Sequence, residues 1–519
     1  MTDPTTADKE AALKFKDEGN VFIKQQNFPK AIELYSKAID LDPTISIFYS
    51  NRALAHIKMD NFQSAFNDCN SAINLDKNNI KAYHRRGMSE VGLLEFRKAR
   101  ADFNIVLNVK PNDATAKRGL AMCERFIREE RFKKAIGGGD SGKVNFCKTI
   151  DLSSFDANSD LIKYDGMKLE FEELKNEKNE NDGIQIKNMS QDFVSFMING
   201  LFLKGKQLPK KYVAAIISHA ERLFRKEPTL VEISNKDKDE RQLGVDDVKI
   251  SVCGDTHGQF YDVLNIFQKF GKVSPQHTYL FNGDFVDRGS WSCEVAILFY
   301  CLKILYPKNF YLNRGNHETD NMNKMYGFED ECKYKYSQRI FDMFSESFES
   351  LPLATLINDD YLVMHGGLPK DTESTLDDIR SIDRFKQPPR EGLFMDLLWA
   401  DPQVAKGFGP SQRGLGYSFG PDITAQYLER NNLKKVFRSH EVRMNGVEFE
   451  HDKKLITVFS APNYCDSQGN KGAIIHVVPG KGKVGVNEND DEDLCVELFE
   501  HVTHPDVKPM AYSNGGLGF

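Results

Sequence analysis

Clusters of glycine with aspartate, asparagine or histidine occur five times between residues 254 and 441. Carboxylate, amide and imidazole groups without thiolates are typical donors for Mn, Fe, Zn and Mg ions. The glycines allow tight turns and a close approach of the backbone to a ligand. One cluster alone is more typical of an ordinary turn, but five in succession indicate a common metal site. The clusters are Gly254–Gly258, Gly283–Gly289, Arg314–Glu318, His365–Gly367 and Arg438–Glu441.

Each cluster follows a short apolar run that predicts a buried β-strand. A helical stretch such as Trp291–Leu305 lies between successive runs. Alternation of strand, loop and helix predicts an α/β domain whose chemistry lies at the carboxyl ends of the strands. The predicted strands are Val248–Val252, Thr278–Phe281, Phe310–Leu312, Tyr361–Met364 and Val436–Phe437.

The motifs GDTHGQ, GDFVDRG, RGNHE, HGG and SAPNYCD resemble the signature set of the phosphoprotein-phosphatase family of metal-dependent serine/threonine phosphatases, over roughly residues 190–510. The resemblance implies an α/β metallophosphoesterase domain with central β-sheets flanked by helices. It also implies two divalent or trivalent metal ions per subunit, with Mn/Mg and Fe/Zn as open alternatives. Carried over residue by residue, the first metal has the ligands Asp255, His257 and Asp284, and the second has Asp284, Asn316, His365 and His440.

The same resemblance implies direct hydrolysis of phosphoserine and phosphothreonine by a hydroxide between the two ions. A Cys-x5-Arg loop is absent from the sequence, which disfavours thiolate chemistry. His317 is the candidate general acid for the leaving oxygen, with Asp287 holding its tautomer and charge. The residues expected to contact the substrate phosphate are Arg288, Asn316, His317, Arg413 and Tyr464.

The first 113 residues superimpose on themselves after a shift of 34 residues, which gives the repeats 12–45, 46–79 and 80–113. A small residue recurs at Gly19, Ala53 and Gly87, where two helices must approach closely. Units of this kind cannot bury their apolar face alone and stack into a helical solenoid. The period and pattern resemble the tetratricopeptide repeat, and residues 114–136 are predicted to form a capping helix.

Polar residues on the first helices of the repeats predict a groove for a peptide carboxylate. Residues three and four apart share a helix face, and the set falls on one stripe. It resembles the carboxylate clamp by which such repeats bind the C-termini of Hsp90-type chaperones, which end in Glu-Glu-Val-Asp. A solvated helix face is the alternative. The five residues are Lys16, Asn20, Asn51, Lys81 and Arg85.

The predicted domain order is a repeat domain over 1–136, a polar linker over 137–187, a catalytic domain over 188–510 and a short tail over 511–519. The family resemblance implies that the repeats and the tail inhibit the catalytic domain. Three glycines in the tail disfavour a terminal helix. A short carboxylate at Asp60, where the resemblance leads us to expect Glu, also predicts weaker inhibition.

Composition restricts the classes of function. The chain has 519 residues, 40 % hydrophobic and 28 % charged, which is typical of a folded protein and excludes disorder throughout. A net charge of −7 argues against a general nucleic-acid binder. The sequence contains no apolar stretch long enough to predict a membrane span, and its N-terminus does not resemble a secretory signal. Nine cysteines without a C-x-x-C pair favour a reducing compartment, so a cytoplasmic location is expected, with the nucleus also open.

Three functions are therefore compatible with the sequence. The first is a chaperone-recruited phosphatase that acts on phosphoproteins. The second is a related dimetal phosphodiesterase such as a nuclease, and the third is a chaperone-binding scaffold with weak or no catalysis. Intact candidate ligands disfavour the scaffold, and paired arginines suit a phosphomonoester dianion better than a diester.

Overall fold

A computed structural model describes residues 5–135, 145–155, 164–176, 181–236, 248–480 and 491–513. The described residues divide into two compact units. The first contains residues 5–135 together with Pro410–Tyr417. The second contains the remaining described residues up to Ser513.

Seven helices form the first unit, and their spacing follows the period in the sequence. The second helix of each repeat occupies the same 34-residue register and begins at a phenylalanine: α2, α4 and α6 start at Phe28, Phe62 and Phe96. The predicted solenoid with a capping helix is confirmed. The bounds are α1 Thr6–Lys24, α2 Phe28–Leu41, α3 Ser46–Lys58, α4 Phe62–Leu75, α5 Ile80–Gly92, α6 Phe96–Val109 and α7 Ala114–Ala135.

The recurring small residue has the packing role that the sequence predicts. A β-carbon on Gly19 would lie 2.7 Å from the ring of Tyr35, and one on Gly87 would lie 3.1 Å from the ring of Phe103. An aromatic side chain of the second helix therefore fills the space left by the missing side chain on the first. Close packing of this kind holds the two helices of a repeat together.

The turn between the two helices of each repeat also repeats. Gln26, Asp60 and Leu94 stand at the same position and all have left-handed backbones, with φ of 59°, 57° and 60°. The recurrence shows that the turn geometry is imposed by helix packing, because leucine and glutamine have no intrinsic preference for this conformation.

The second unit is built on two large β-sheets, as the predicted fold class requires. One has the strand order β13-β14-β12-β8-β7-β3 and the other β16-β15-β4-β5-β6. Apolar side chains of both sheets share one buried cluster, including Val252, Leu280, Val363 and Phe437. The strands are β1 Phe171–Lys175, β2 Asn181–Ile186, β3 Leu230–Ile233, β4 Lys249–Cys253, β5 His277–Phe281, β6 Phe310–Leu312, β7 Ala354–Ile357, β8 Tyr361–Met364, β9 Asp401–Pro402, β10 Phe408–Pro410, β11 Tyr417–Phe419, β12 Lys435–Arg438, β13 Val447–Glu450, β14 Leu455–Val458, β15 Gly472–Val477 and β16 Leu494–Phe499.

Helices cover the outer faces of this unit. The long helix Lys210–Lys226 and the apolar helix Ser292–Leu305 contribute side chains to the larger buried cluster. None of the helices in the described residues is long and apolar enough to cross a membrane. The bounds are α8 Gln191–Phe196, α9 Lys210–Lys226, α10 Phe260–Phe270, α11 Ser292–Leu305, α12 Asp320–Tyr326, α13 Phe328–Lys335, α14 Gln338–Glu349, α15 Leu376–Arg380, α16 Leu393–Trp399 and α17 Pro421–Arg430.

The segment predicted as a polar linker contributes to the core of the second unit. Cys147, Ile150 and Leu152 are buried in its larger cluster, as are Ile184 and Ile186 at the end of β2. The charged residues around them dominate the composition and conceal these few apolar positions. The exact boundaries of the predicted domains stay predictions, and residues 514–519 of the tail lie outside the described residues.

Candidate metal centre and active site

Five strand ends deliver the candidate ligands, as the sequence predicts. Asp255 follows β4, Asp284 follows β5 and Asn316 follows β6, all in one sheet. His365 directly follows β8, and His440 follows β12, both in the other sheet. The site therefore lies where the carboxyl ends of strands from both sheets meet.

His365 is at the centre of one group of ligand atoms. Its Nδ1 lies 2.8 Å from the carbonyl oxygen of Asn282, so Nδ1 donates and Nε2 points to the site. Nε2 lies 2.8 Å from Asn316 Oδ1, 3.2 Å from His440 Nδ1 and 3.2 Å from Asp284 Oδ2. Burial alone would lower the pKa of His365, but Asp284 outweighs burial and raises it to about 9. The group therefore favours positive charge at this point.

His257 is at the centre of a second group. Its Nδ1 lies 3.0 Å from the carbonyl oxygen of Val286, which leaves Nε2 facing the carboxylates. Nε2 lies 3.6 Å from Asp255 Oδ2 and 3.7 Å from Asp284 Oδ2. Asp284 belongs to both groups, since its carboxylate also lies within 4.8 Å of ligand atoms of His365 and His440.

The donor set fits two cations. Imidazole nitrogens, carboxylate oxygens and an amide oxygen converge inside a buried site where each is primarily an acceptor. Acceptors at such distances repel one another unless protons or cations lie between them. Burial by itself would raise the pKa of Asp284, but the imidazoles of His365 and His317 outweigh it and hold the pKa well below its usual range. The carboxylate is thus ready to bind a metal.

Several of these residues have strained backbones. Positive φ angles occur at His257 (40°), Asp284 (50°), Asp287 (69°), Arg288 (68°) and His440 (72°). Left-handed conformations cost non-glycine residues about 1–3 kcal/mol each and occur mainly where surrounding contacts enforce them. Their concentration in the loops at this sheet edge marks the functional region of the second unit.

His317 and Asp287 form the pair that the sequence predicts beside the ligands. His317 Nδ1 lies 2.9 Å from Asp287 Oδ2, and the backbone nitrogen of His317 donates to Asp284 Oδ1 at 2.8 Å. Asp287 also accepts hydrogen bonds from Asn323 Nδ2 and the Phe328 backbone nitrogen, both at 2.9 Å. The imidazole is therefore fixed with Nε2 directed away from Asp287.

The chain is similar to known proteins along its whole length. Residues 248–444 match the calcineurin-like phosphoesterase family, residues 120–232 the PPP5 TPR repeat region and residues 19–60 a TPR repeat. The chain is 70 % identical over 519 residues to serine/threonine-protein phosphatase T of Saccharomyces cerevisiae, covering 100 % of both chains. It is 42 % identical over 505 residues to serine/threonine-protein phosphatase 5 of Homo sapiens, covering 97 % of this chain and 93 % of that relative. The chain belongs to the family of serine/threonine-protein phosphatases 5 and T.

A solved structure supports the fold of the phosphatase unit. It is a protein serine/threonine phosphatase from Saccharomyces cerevisiae with similarity to human phosphatase PP5. The two share 72 % sequence identity and superimpose with a TM-score of 0.60, over 62 % of this chain and 100 % of that chain. The calcineurin-like phosphoesterase family implies a dimetal site, and the described residues contain two groups of His and Asp that could hold metal ions.

The predicted phosphate-contacting residues of the phosphatase are found in different places. Arg288 is buried beside the pair formed by His317 and Asp287, with its guanidinium carbon 3.9 Å from the ring centroid of Tyr326. Tyr464 lies next to the ligands, its ring centroid 5.1 Å from that of His257. Arg413 belongs to the segment Pro410–Tyr417, which is part of the repeat unit, so its role stays a prediction.

Glu318 connects two loops of the candidate site and was not among the residues predicted from the sequence. Its carboxylate accepts hydrogen bonds from the backbone nitrogens of Asp284 (2.7 Å), Phe285 (3.0 Å) and Gly315 (2.8 Å). It therefore joins the two loops that carry Asp284 and Asn316. Its position directly after His317 in the RGNHE motif was the only signal in the sequence.

A buried asparagine network was also missed. Asn282 Nδ2 donates to the Met364 carbonyl oxygen (2.8 Å) and to Ser439 Oγ (2.9 Å), while Asn313 Nδ2 donates to Asn282 Oδ1 (2.9 Å). These bonds connect the ends of β5 and β6 to those of β8 and β12. They set the distance between ligands that come from different sheets.

In the repeat unit, three of the five predicted clamp residues lie together. Asn51 Nδ2 lies 3.2 Å from Asn20 Oδ1, and Arg85 Nη1 lies 3.2 Å from Asn51 Oδ1. Arg85 also donates to the Ser50 carbonyl oxygen at 2.5 Å. Lys16 lies one turn before Asn20 on α1, with Nζ 2.6 Å from Asp17, and Lys81 lies one turn before Arg85 on α5.

We predict that Glu318→Gln weakens both folding and metal retention. Glutamine has one acceptor oxygen in place of two. Its NH2 group would therefore face at least one backbone N–H from which the carboxylate now accepts a hydrogen bond. The free energy of unfolding should fall by about 2 kcal/mol, measured by chemical denaturation. Metal content after dialysis should fall as well. The exposed Glu429→Gln is the control, and equal behaviour of the two variants would contradict the role of Glu318.

Proposed function

We propose that this chain hydrolyses phosphoserine and phosphothreonine in proteins. The observation that carries the proposal is the carboxylate of Asp284, which lies 3.7 Å from His257 Nε2 and 3.2 Å from His365 Nε2 and accepts a hydrogen bond from the backbone nitrogen of His317. The proposed ligands of one ion are Asp255, His257 and Asp284, and those of the other are Asp284, Asn316, His365 and His440. Two bound ions would lower the pKa of a water molecule and polarise the phosphoryl oxygens.

The protein groups supply positioning and a proton. His317 Nδ1 is held by Asp287, so Nε2 is the atom that gives a proton to the leaving serine or threonine oxygen. Asp287 orients the imidazole of His317, because the buried carboxylate lies within hydrogen-bonding distance of Nδ1. No covalent phospho-enzyme is needed.

Arg288, Asn316, His317, Arg413 and Tyr464 are the proposed contacts of the substrate phosphate. Arginine suits this role because its planar fork can donate two parallel hydrogen bonds to phosphate oxygens. The nitrogen and oxygen donors of the metal groups suit Mn/Mg or Fe/Zn pairs, and metal analysis of the purified protein would distinguish them. A cytoplasmic location is proposed on the sequence alone.

We expect His317→Asn to lower kcat for p-nitrophenyl phosphate by roughly 100- to 10,000-fold, because the general acid is lost. Asp287→Asn should lower kcat less, since His317 stays in place. Steady-state assays with each candidate metal measure both effects. Metal content of His317→Asn serves as the control, because His317 is not a proposed ligand of either ion.

The bis-ester of p-nitrophenyl phosphate separates the other two functions. Hydrolysis of the bis-ester alone would favour the phosphodiesterase, and hydrolysis of neither ester would favour the scaffold.

We further propose that the repeats bind the acidic C-terminus of an Hsp90-type chaperone. Asn20, Asn51 and Arg85 already lie together, and Lys81 is exposed one turn from Arg85. Amide and cationic groups on one side of the α1, α3 and α5 helices match a terminal carboxylate. This surface is the proposed carboxylate clamp.

We expect Lys81→Ala to weaken binding of a peptide ending in Glu-Glu-Val-Asp by roughly 10-fold, as one charge-assisted hydrogen bond is lost. Calorimetry on the full chain measures the affinity. Lys77→Ala removes a neighbouring exposed charge and should have little effect. Equal loss in both variants, or unchanged binding of a peptide with an amidated C-terminus, would contradict the clamp.

We also propose that the repeats restrain catalysis by holding the segment that carries Arg413. The backbone nitrogen of Gln63 donates to the Gln412 carbonyl oxygen at 2.9 Å. A β-carbon on Gly414 would lie 2.1 Å from Leu93, so the segment packs tightly on the second and third repeats. An arginine held in this way is less free to bind a substrate phosphate. The predicted inhibitory tail residues 514–519 lie outside the described residues.

We expect Gln63→Pro to raise the basal rate of p-nitrophenyl phosphate hydrolysis, because proline lacks the N–H that bonds to Gln412. The increase should be about fivefold, which corresponds to the free energy of one hydrogen bond. Proline is accommodated at this position, because Pro29 occupies it in the first repeat. Arg97→Pro, at the same position of the third repeat, is the matched control. Restraint by this contact would be excluded if both variants had the basal rate of the unaltered chain.

A further inference from the structure

The segment Lys508–Tyr512, which we define as the C-terminal strap, crosses the loop that carries Arg288. The backbone nitrogen of Met510 donates to the Arg288 carbonyl oxygen at 2.9 Å. Ser290 Oγ donates to the Lys508 carbonyl oxygen at 2.7 Å and accepts from the Ala511 backbone nitrogen at 3.1 Å. Three hydrogen bonds thus join two segments more than two hundred residues apart in the chain.

Arg288 needs such external contacts to keep its conformation. Its φ of 68° is left-handed, and so is that of Asp287 (69°). Arginine rarely adopts this region, whereas aspartate tolerates it better. On the opposite side, Arg288 donates its backbone N–H to the Tyr326 carbonyl oxygen at 3.1 Å and stacks on the Tyr326 ring. The backbone of Arg288 is therefore held between Tyr326 and the strap.

The strap is itself anchored at both ends. Upstream, the Val502 backbone nitrogen donates to the buried Asp262 at 2.9 Å. Downstream, the ring of Tyr512 stacks on that of Tyr334 with 4.7 Å between centroids. Lys335 Nζ lies 5.0 Å from the Tyr512 ring and donates to the Ser290 carbonyl oxygen at 2.9 Å. The same lysine thus contacts both the loop and the strap.

We infer that the C-terminal strap positions Arg288 for the substrate phosphate and that Ser290 is the residue through which it acts. This inference rests on the proposed phosphatase function and adds positioning residues to it. The hydrogen bonds of Ser290 go to Lys508 and Ala511 of the strap and to Lys335. Its hydroxyl holds the strap across the loop, and the strap fixes the backbone from which the guanidinium extends.

Ser290→Ala in the full chain tests the inference. Loss of two hydrogen bonds, each equivalent to about fivefold, should raise KM for p-nitrophenyl phosphate and the inhibition constant of inorganic phosphate by roughly 5- to 30-fold. The change in kcat should be smaller, because His317 and Asp287 keep their contacts. Ser292→Ala is the matched control, since the Ser292 hydroxyl is buried and has no hydrogen-bond partner in the described residues.

A double-mutant cycle separates positioning from general stability. If Ser290 acts through Arg288, Ser290→Ala should change kcat/KM little in an Arg288→Ala background. Tyr512→Leu should raise KM as Ser290→Ala does, while Tyr512→Phe keeps the stacking and should restore the value of the unaltered chain.

Additive effects of Ser290→Ala and Arg288→Ala would overturn the inference, as would identical constants for the Ser290 and Ser292 variants. An unaltered chain without activity on p-nitrophenyl phosphate would instead reject the proposed function. The two failures are therefore distinguishable in the same assay.

Discussion

The convergence of acceptor atoms on Asp284 is the constraint on which the second unit depends. A buried carboxylate lies 3.2 Å from one imidazole nitrogen and 3.7 Å from another, with an amide oxygen and a second carboxylate close by. Such a cluster is unfavourable without cations, and its loops also contain several left-handed residues. The surrounding structure must supply enough stabilisation to hold it in place.

Much of that stabilisation comes from buried polar groups that connect the loops. Glu318 accepts hydrogen bonds from three backbone nitrogens. Asn282 donates hydrogen bonds to Met364 and Ser439, at the ends of strands in the opposite sheet. Burial and the neighbouring Asp284 raise the pKa of Glu318. A bound metal that draws negative charge from Asp284 would relieve this repulsion. The ligands and the residues behind them are thus electrostatically coupled.

The repeat unit depends on a different principle. In the first and third repeats a glycine packs against an aromatic ring, Gly19 on Tyr35 and Gly87 on Phe103. The second repeat has Ala53 and Cys69 at the corresponding positions. Arg52 with Asp68 and Arg86 with Asp102 add ion pairs in the second and third repeats, at 2.7 Å. Each of these contacts joins neighbouring helices, as is typical of stacked repeats.

The sequence by itself determined the repeats, the strands before each cluster and the identity of the candidate ligands. These features are local: a helix period, an apolar run or a motif is complete within a few tens of residues. The predicted strand Phe310–Leu312 and helix Trp291–Leu305 agree with the structure to within one residue. The family resemblance assigned roles to individual site residues, which their spacing alone could not do.

Only the tertiary structure decided which of these residues meet. That Asp284 reaches both groups, that Glu318 joins two loops and that Ser290 bonds to Lys508 are contacts across long stretches of chain. Such contacts leave no period in the sequence, since they depend on how two sheets pack. The buried Ile184 and Ile186 were missed for a second reason. The charged composition of a segment describes its average and does not reveal the few side chains that enter the core.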